Sequence, residues 1–304
     1  MLRAFVASAA VLGVMASHGQ HEMMGPLNPS LGTHGFPDCV SGPQGVSTDL
    51  EWNQMNMLCA QREGPATALK VACIGDSITA GAHASSGAMA YPGQLQTMVD
   101  PNKYTVTNLG ACGSTMQKAP NGDSPYWNRP QYQALIKGQW DVVVIMLGTN
   151  DAKDPFDGGP NNWHCGTDIN AIAANPGACP FVADYLSMVS LVRTLGTTPG
   201  TAPQIFIAAP PPLMQHGSIG ANQTVINSVY PAIIPLIGKL ANVTTVPISI
   251  YAALGGVPDW QSAFPLSCQL DSNWVACPWY CDKQSCDQCH PSTFRRAPPL
   301  RPQP

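Results

Sequence analysis

The sequence predicts an α/β fold built on a parallel sheet. From Leu69 onward, apolar runs of strand length alternate with stretches suited to helices, and this alternation is typical of chains that form βαβ units. Each run is apolar enough to be covered on both faces, as the strands of a parallel sheet usually are. The five predicted strands cover residues 70–75, 104–109, 141–147, 204–209 and 244–250.

Four stretches between or after these runs are predicted to be helices. They cover residues 91–99, 131–138, 182–195 and 223–241. The last stretch contains Pro231 and Pro235, which have no backbone N–H to donate, so we expect this helix to be kinked or split.

Glycine and polar residues follow the first three predicted strands. Gly-Asp-Ser occupies residues 75–77, Gly-Ala-Cys-Gly residues 110–113, and Gly-Thr-Asn-Asp residues 148–151. Because the carboxyl ends of parallel strands meet at one edge of a sheet, these three segments are expected to lie together. Open parallel sheets bind their ligands at that edge.

Ser77 is the predicted nucleophile, on the turn between the first strand and the first helix. A serine hydroxyl attacks an ester only when a base removes its proton. His290 is the predicted base, because Asp287 precedes it by three residues on what must be a tight loop. At that spacing a carboxylate can reach Nδ1, hold the imidazole in one tautomer and stabilise the imidazolium.

Three donors are predicted to stabilise the negative charge that develops on the substrate oxygen. The backbone N–H of Ser77 is one. Gly113 has no Cβ, so its N–H can approach a substrate closely. Asn150 can direct a side-chain N–H at the same oxygen, which completes a predicted oxyanion hole.

These segments together resemble the SGNH (GDSL-type) hydrolases. The family is named after the Ser, Gly, Asn and His that are found here as Ser77, Gly113, Asn150 and His290. The resemblance extends over residues 70–290 and is strongest in residues 71–81 and 146–153. The Ala-Pro-Pro-Pro stretch at residues 209–212 is similar to that of exported acyl-ester hydrolases of this group, some of which deacetylate carbohydrates.

The resemblance implies a flavodoxin-like three-layer α/β/α sandwich with a five-stranded parallel sheet. It also implies that an acyl-enzyme forms on Ser77, that the substrate is a small ester or an acylated carbohydrate, and that no metal or organic cofactor is needed. Asp76 and Asp151 are expected to hold the loops next to the nucleophile and after the third strand. His83 and His164, with no acidic residue three positions before them, are interpreted as loop or rim residues.

A second loop is expected to wall the substrate crevice. Cys165 and Cys179 are predicted to close it, and Asn162 and Trp163 lie beside it as candidate substrate-binding residues. A packed aromatic is the alternative for Trp163.

The N-terminus predicts export. Arg3 precedes an apolar run at residues 4–16, and Ala16 and Gly19 offer cleavage points, so residues 1–19 are interpreted as a signal peptide of a secreted protein. An uncleaved anchor is the alternative, although the run is shorter than the roughly 20 residues that span a bilayer.

The remaining chain is divided by composition. Residues 20–68 form a Gly- and Pro-rich lead-in with Cys39 and Cys59 as a plausible clip, residues 69–292 the hydrolase domain, and residues 293–304 a Pro- and Arg-rich tail expected to be disordered. Lys and Arg number 14 against 18 Asp and Glu, so no basic face for nucleic acid is indicated.

The 11 cysteines of an exported chain predict disulfides, and the odd count leaves at least one unpaired or bonded to another chain. Cys73, inside an apolar run, is the candidate for a free thiol. Two sequons begin at Asn222 and Asn242 and fit a glycoprotein.

Three alternatives remain open. The segment that ends in Cys277, Cys281, Cys286, Cys289 and His290 could hold structural zinc, although its spacings match no standard pair of knuckles. An α/β-hydrolase lipase is disfavoured because no Gly-x-Ser-x-Gly elbow surrounds Ser77. An inactive binding or surface protein is the third, because the chain reads Pro291-Ser292 where the family usually has Pro-Asn before a closing helix, and its proline-rich end cannot form one.

Overall fold

The fold is seen in a computed structural model that describes residues 68–214, 217–245 and 289–291. A five-stranded, fully parallel sheet has the strand order β2-β1-β5-β6-β7. A separate parallel pair, β3 with β4, lies outside it. The strands are β1 Leu69–Gly75, β2 Tyr104–Gly110, β3 Ser114–Thr115, β4 Ser124–Pro125, β5 Val142–Met146, β6 Gln204–Ile207 and β7 Thr244–Thr245.

Six α-helices occur in the described residues: α1 Ser77–Ala80, α2 Tyr91–Met98, α3 Pro130–Lys137, α4 Ile169–Ala174, α5 Pro180–Val192 and α6 Tyr230–Leu240. Single turns of 3₁₀ helix occur at Gly87–Met89, Tyr126–Asn128, Pro155–Asp157, Pro176–Ala178 and Ser218–Gly220, and one π-helical turn at Val225–Val229.

Alternate residues of the central strands enter two different cores, one on each face of the sheet. Val71 and Cys73 of β1 pack in a smaller core with Leu95 of α2. Ala72 and Ile74 pack in a larger core to which α3, α4, α5 and α6 contribute. Helices therefore cover both faces, and the predicted three-layer α/β/α arrangement with five parallel strands is confirmed.

The expectation that every strand is covered on both faces holds for β5 but not for β2. All five residues of β5 are buried, whereas the first five residues of β2 are only half-buried. The reason is position, because β2 is the last strand at one side of the sheet and has a neighbour on one side only.

The helix predicted over residues 223–241 changes its pitch instead of splitting. The π-helical turn Val225–Val229 leads directly into α6, with Pro231 in the first turn of α6 and Pro235 inside it. A π turn widens the helix locally and lets the chain accommodate residues that cannot donate a hydrogen bond.

The cysteines fall into a described and an undescribed group. Cys165 and Cys179 form the predicted disulfide, and Cys112 is also disulfide-bonded. Cys73 is a free, buried thiol, as predicted, and burial raises its pKa to about 12. The proposed Cys39 and Cys59 clip, and three of the four cysteines of the zinc alternative, lie outside the described residues.

A search of the described residues for a helix long and apolar enough to cross a membrane finds none.

Candidate active site

Ser77 lies at a sharp turn between β1 and α1. Asp76 precedes the helix as its N-cap, and its Oδ1 accepts a hydrogen bond from the backbone N–H of Ile78 at 3.0 Å. Gly75, the last residue of β1, has no room for a side chain, since an added Cβ would lie 2.0 Å from Oγ1 of Thr79 and 2.6 Å from the carbonyl oxygen of Met146. The turn therefore requires glycine at position 75 to place the serine at the edge of the sheet.

The Ser77 hydroxyl and the His290 ring are in direct contact. Oγ of Ser77 lies 2.7 Å from Nε2 of His290, although the residues are 213 positions apart in sequence. The exposed fractions are 6% for Ser77 and 8% for His290. A hydrogen bond of this length between a hydroxyl and an imidazole permits direct proton transfer to the ring. Asp287, the predicted partner of His290, lies outside the described residues.

The backbone of Gly113 is held in the left-handed region, with φ of +68°. The carbonyl oxygen of the preceding residue, Cys112, accepts a hydrogen bond from Nη2 of Arg129 at 3.0 Å. In a trans peptide the C=O and the N–H point in opposite directions. Arg129 therefore fixes the direction of the Gly113 N–H, which points away from the guanidinium.

The side chain of Asn150 is buried and anchored at one of its two N–H groups. Nδ2 donates to the carbonyl oxygen of Ser114 at 3.0 Å, which joins the loop after β5 to the loop after β2. An amide nitrogen has two hydrogens. The other hydrogen of Asn150 can therefore be donated to a ligand.

Asn162 was expected to contact substrate, but it is fully buried and bonded within the protein. Its Nδ2 donates to Oδ2 of Asp123 at 2.7 Å and to the carbonyl oxygen of Asn150 at 2.9 Å. Its Oδ1 accepts from the N–H of Asn121 at 2.9 Å. Because it is buried by these bonds, the Asn162 side chain is not accessible to a substrate. It instead holds the backbone of Asn150 in place.

Trp163 also lies in the core instead of lining a crevice. Its Nε1 donates to the carbonyl oxygen of Gly166 at 2.7 Å, and its ring packs edge-on against Tyr230 and obliquely against Phe181. The packed aromatic, the alternative considered for this residue, is the arrangement in the structure.

The carboxyl groups of Asp76 and Asp151 are both buried near the turn that carries Ser77. Burial raises the pKa of Asp76 above its usual value, and the hydrogen bond from the Ile78 N–H opposes this effect. Burial raises the pKa of Asp151 to about 7, although its oxygens accept from the N–H groups of Met116 and Gln117 at 2.8 Å each. Asp151 thus ties its own loop to the one that carries Gly113.

The raised pKa of Asp151 predicts a stability that depends on pH. The folded protein holds a proton on this group between about pH 4 and pH 7, where the unfolded chain has lost it, so the group's contribution falls as pH rises through that window. Between about pH 5 and 8 we expect a loss of at most about 3 kcal/mol from this group. Asp151→Asn should remove this part of the slope while lowering stability at pH 5, because its NH₂ faces two N–H donors.

Urea unfolding of both proteins at the two pH values measures this effect. Asp184→Asn is the matched control, because the Asp184 carboxylate accepts a comparable backbone bond, from the Lys118 N–H at 2.8 Å, at the surface. An unchanged slope in Asp151→Asn would contradict the prediction.

His83 is a site residue that the sequence interpretation missed. It lies in the turn after α1, as the loop interpretation predicted, and its ring also lies parallel to that of His290, with centroids 5.1 Å apart and planes 5° apart. Closeness to Ser77 in sequence was the one available signal. His164, interpreted in the same way, is exposed and its Nε2 lies 3.4 Å from Nδ2 of Asn121.

Comparison with known families agrees with this geometry. The model of the GDSL-like lipase/acylhydrolase family matches residues 73–267, more than half of the chain. The chain belongs to this family. The predicted resemblance to the GDSL-type hydrolases is thereby confirmed, and the α/β-hydrolase lipase alternative is set aside.

One related protein is an acetylxylan esterase of Xylanibacter ruminicola, which is 41% identical to this chain over 103 residues. The matched residues are 34% of this chain and 20% of the relative. The chain thus matches about a fifth of the length of this curated relative.

Two solved structures are similar at lower identity. A carbohydrate acetylesterase family member from Sinorhizobium meliloti is 21% identical, with 58% of this chain and 81% of that chain covered and a TM-score of 0.40. An acetylxylan esterase from Geobacillus stearothermophilus is 20% identical, with 59% and 75% covered and a TM-score of 0.40.

Proposed function

We propose that this protein is a secreted ester hydrolase that removes short acyl groups through an acyl-enzyme on Ser77. The observation that carries the proposal is the 2.7 Å contact between Oγ of Ser77 and Nε2 of His290, which connects a nucleophile to a base at the carboxyl edge of the sheet. Membership of the GDSL-like family supports ester hydrolysis as the reaction class.

The proposed reaction has two halves. Oγ of Ser77 attacks the ester carbonyl carbon while His290 takes the hydroxyl proton, and the carbonyl oxygen becomes negatively charged. As the intermediate collapses, the bond to the alcohol breaks and His290 returns the proton to the departing oxygen. Water then attacks the acyl-serine, loses its proton to His290, and the acid leaves as Ser77 recovers its proton.

Three donors are proposed for the oxyanion. They are the N–H of Ser77, the N–H of Gly113 and the Nδ2 hydrogen of Asn150 that Ser114 does not use. Arg129 and Asn162 support this role from behind, since one fixes the Cys112 carbonyl and the other binds the Asn150 carbonyl. Donors held in place before the reaction stabilise the developing charge without the cost of reorganisation.

Asp287 is proposed to orient His290. For Nε2 to accept the serine proton, Nδ1 must carry the other ring proton, and a carboxylate that accepts from Nδ1 favours this tautomer. The spacing of three residues in sequence supports the assignment.

Acetyl groups on a carbohydrate are the proposed substrate. The support is the acetylxylan esterase that shares 41% identity over 103 residues with this chain. No cofactor is invoked, because the Ser77 and His290 pair with three donors supplies each step of the reaction.

Export through the secretory route is part of the proposal, with residues 1–19 as signal peptide, residues 69–292 as the hydrolase domain and residues 293–304 as a tail. The Cys165–Cys179 disulfide fits an oxidising compartment. Asn242 is exposed and available to a glycan, whereas Nδ2 of Asn222 is bonded to Asp154. Asn242 is therefore the proposed glycosylation site of the two sequons.

Acetate release from acetylated xylo-oligosaccharides and from a chromogenic acetate ester tests the function. We expect Ser77→Ala to lose about 10⁴-fold or more in kcat, because it has no hydroxyl to acylate. Rapid quenching with mass measurement should find an acetyl group on wild type and none on the variant. Longer acyl esters, assayed beside acetate, measure the acyl preference. Hydrolysis that survives in Ser77→Ala would contradict the proposal. It would favour the alternative of an inactive surface protein, with the measured activity coming from a contaminating esterase.

A further inference from the structure

A second imidazole lies flat against the proposed base. The rings of His83 and His290 are stacked, with centroids 5.1 Å apart and planes 5° from parallel. His83 follows α1 by three residues, in the turn after the helix that begins with Ser77. One short segment therefore carries the proposed nucleophile and also packs against the proposed base.

The backbone at His83 is in a conformation that side chains seldom adopt. Its φ is +63°, in the left-handed region that glycine enters freely and that Asn, Asp and His enter at some cost. A glycine would satisfy this backbone without strain, so the turn itself does not require histidine. A non-glycine residue in such a conformation at a site points to a use for its side chain.

The stacked ring can act on His290 in two ways. It limits rotation of the His290 ring and so keeps Nε2 directed at Oγ of Ser77, 2.7 Å away. It also presents a π face within about 6 Å of the ring that becomes positively charged when it takes the serine proton, a distance at which a cation is attracted to an aromatic face. The second effect exists only after proton transfer, so it favours the transition state over the bound substrate.

We propose that His83 is a positioning residue that holds the His290 ring in plane and stabilises its imidazolium during acylation and deacylation. This inference rests on the proposed function, in which His290 is the base. The juxtaposition that carries it is the parallel stack of His83 on His290 beside Ser77.

Two substitutions distinguish the effect of the His83 ring from that of the backbone conformation at this position. His83→Asn removes the ring and suits the left-handed backbone, whereas His83→Phe keeps a flat aromatic face and cannot hydrogen-bond. Measured on the full chain with a chromogenic acetate ester, we expect His83→Asn to lower kcat about three- to tenfold, with KM and Tm close to wild type. His83→Phe should keep kcat within about twofold of wild type.

His164→Asn is the matched control, because it makes the same change on an exposed histidine whose ring contacts Asn121. An unchanged kcat in His83→Asn, or a His83→Phe variant as slow as His83→Asn at equal Tm, would overturn the inference. If His83→Phe has a lower Tm, both variants are compared well below that Tm, and the same criterion applies. Ser77→Ala, assayed in parallel, distinguishes failure of the proposed function from failure of this inference. Activity in Ser77→Ala would contradict the proposed function. Loss of activity in Ser77→Ala together with wild-type kcat in the His83 variants would contradict this inference alone.

Discussion

Replacement of His290 by alanine is expected to lower kcat for acetate ester hydrolysis by about 10³-fold or more, because Ser77 then loses the base that is proposed to take its proton. The hydroxyl at position 77 remains, but its Oγ loses the acceptor that lies 2.7 Å away. Labelling of Ser77 by a fluorophosphonate should slow in parallel, since phosphorylation of the hydroxyl by such a reagent needs the same activation.

Added imidazole provides a sharp test of this prediction. Removal of the ring leaves a space beside Ser77, so millimolar imidazole should restore part of the rate in His290→Ala and have no effect on Ser77→Ala. His164→Ala controls for the general loss of a histidine. A His290→Ala variant with near wild-type kcat would show that another group is the base.

Replacement of Asn150 by alanine is the second large effect. Loss of one oxyanion donor lowers kcat by about 10²- to 10³-fold in enzymes of this mechanistic type, with a small change in KM, because the donor acts mainly on the charged intermediate. Asn150→Asp should be slower still, because a carboxylate at this position repels the oxyanion. The carboxylate would also face the carbonyl oxygen of Ser114, which accepts a hydrogen bond from Asn150 in the wild type.

Asn162→Ala is the informative contrast for Asn150. This change removes the donor to Asp123 and to the Asn150 carbonyl, so we expect a loss of about 1–3 kcal/mol in unfolding free energy from buried groups left without partners. Asn150→Ala should instead show the larger loss in kcat. If Asn150→Ala kept kcat within about twofold of the wild type, the assignment of Asn150 as the donor would be contradicted.

The sheet could be predicted from sequence because its signal is local. Five apolar runs predict the strands, and the glycine and polar residues that follow the first three runs predict the edge at which Ser77, Gly113 and Asn150 lie. The edge position of β2 was not predicted, because strand order is decided by crossovers between distant segments. A local sign of it was present, since β2, with Thr105, Thr107 and Asn108, is more polar than β1.

The contacts of the candidate site were predicted only in part. The pairing of Ser77 with His290 followed from the needs of a nucleophile, although no local pattern joins residues 213 positions apart. Burial of Asn162 depends on Asp123 and Asn121, which belong to another loop. The stack of His83 on His290 likewise arises only when the two ends of the domain meet, so the closeness of His83 to Ser77 in sequence was its one sign.

The tight packing around Gly75 has a consequence for mutational scans of this protein. Every amino-acid substitution at position 75 adds at least a Cβ, which would collide with Oγ1 of Thr79 and the carbonyl of Met146. Such a scan should therefore score position 75 as intolerant as Ser77, the proposed nucleophile, although glycine has no side chain to take part in the reaction. A map of mutational tolerance would therefore mark Gly75 and Ser77 alike, and only the structure shows that position 75 is restricted by lack of space.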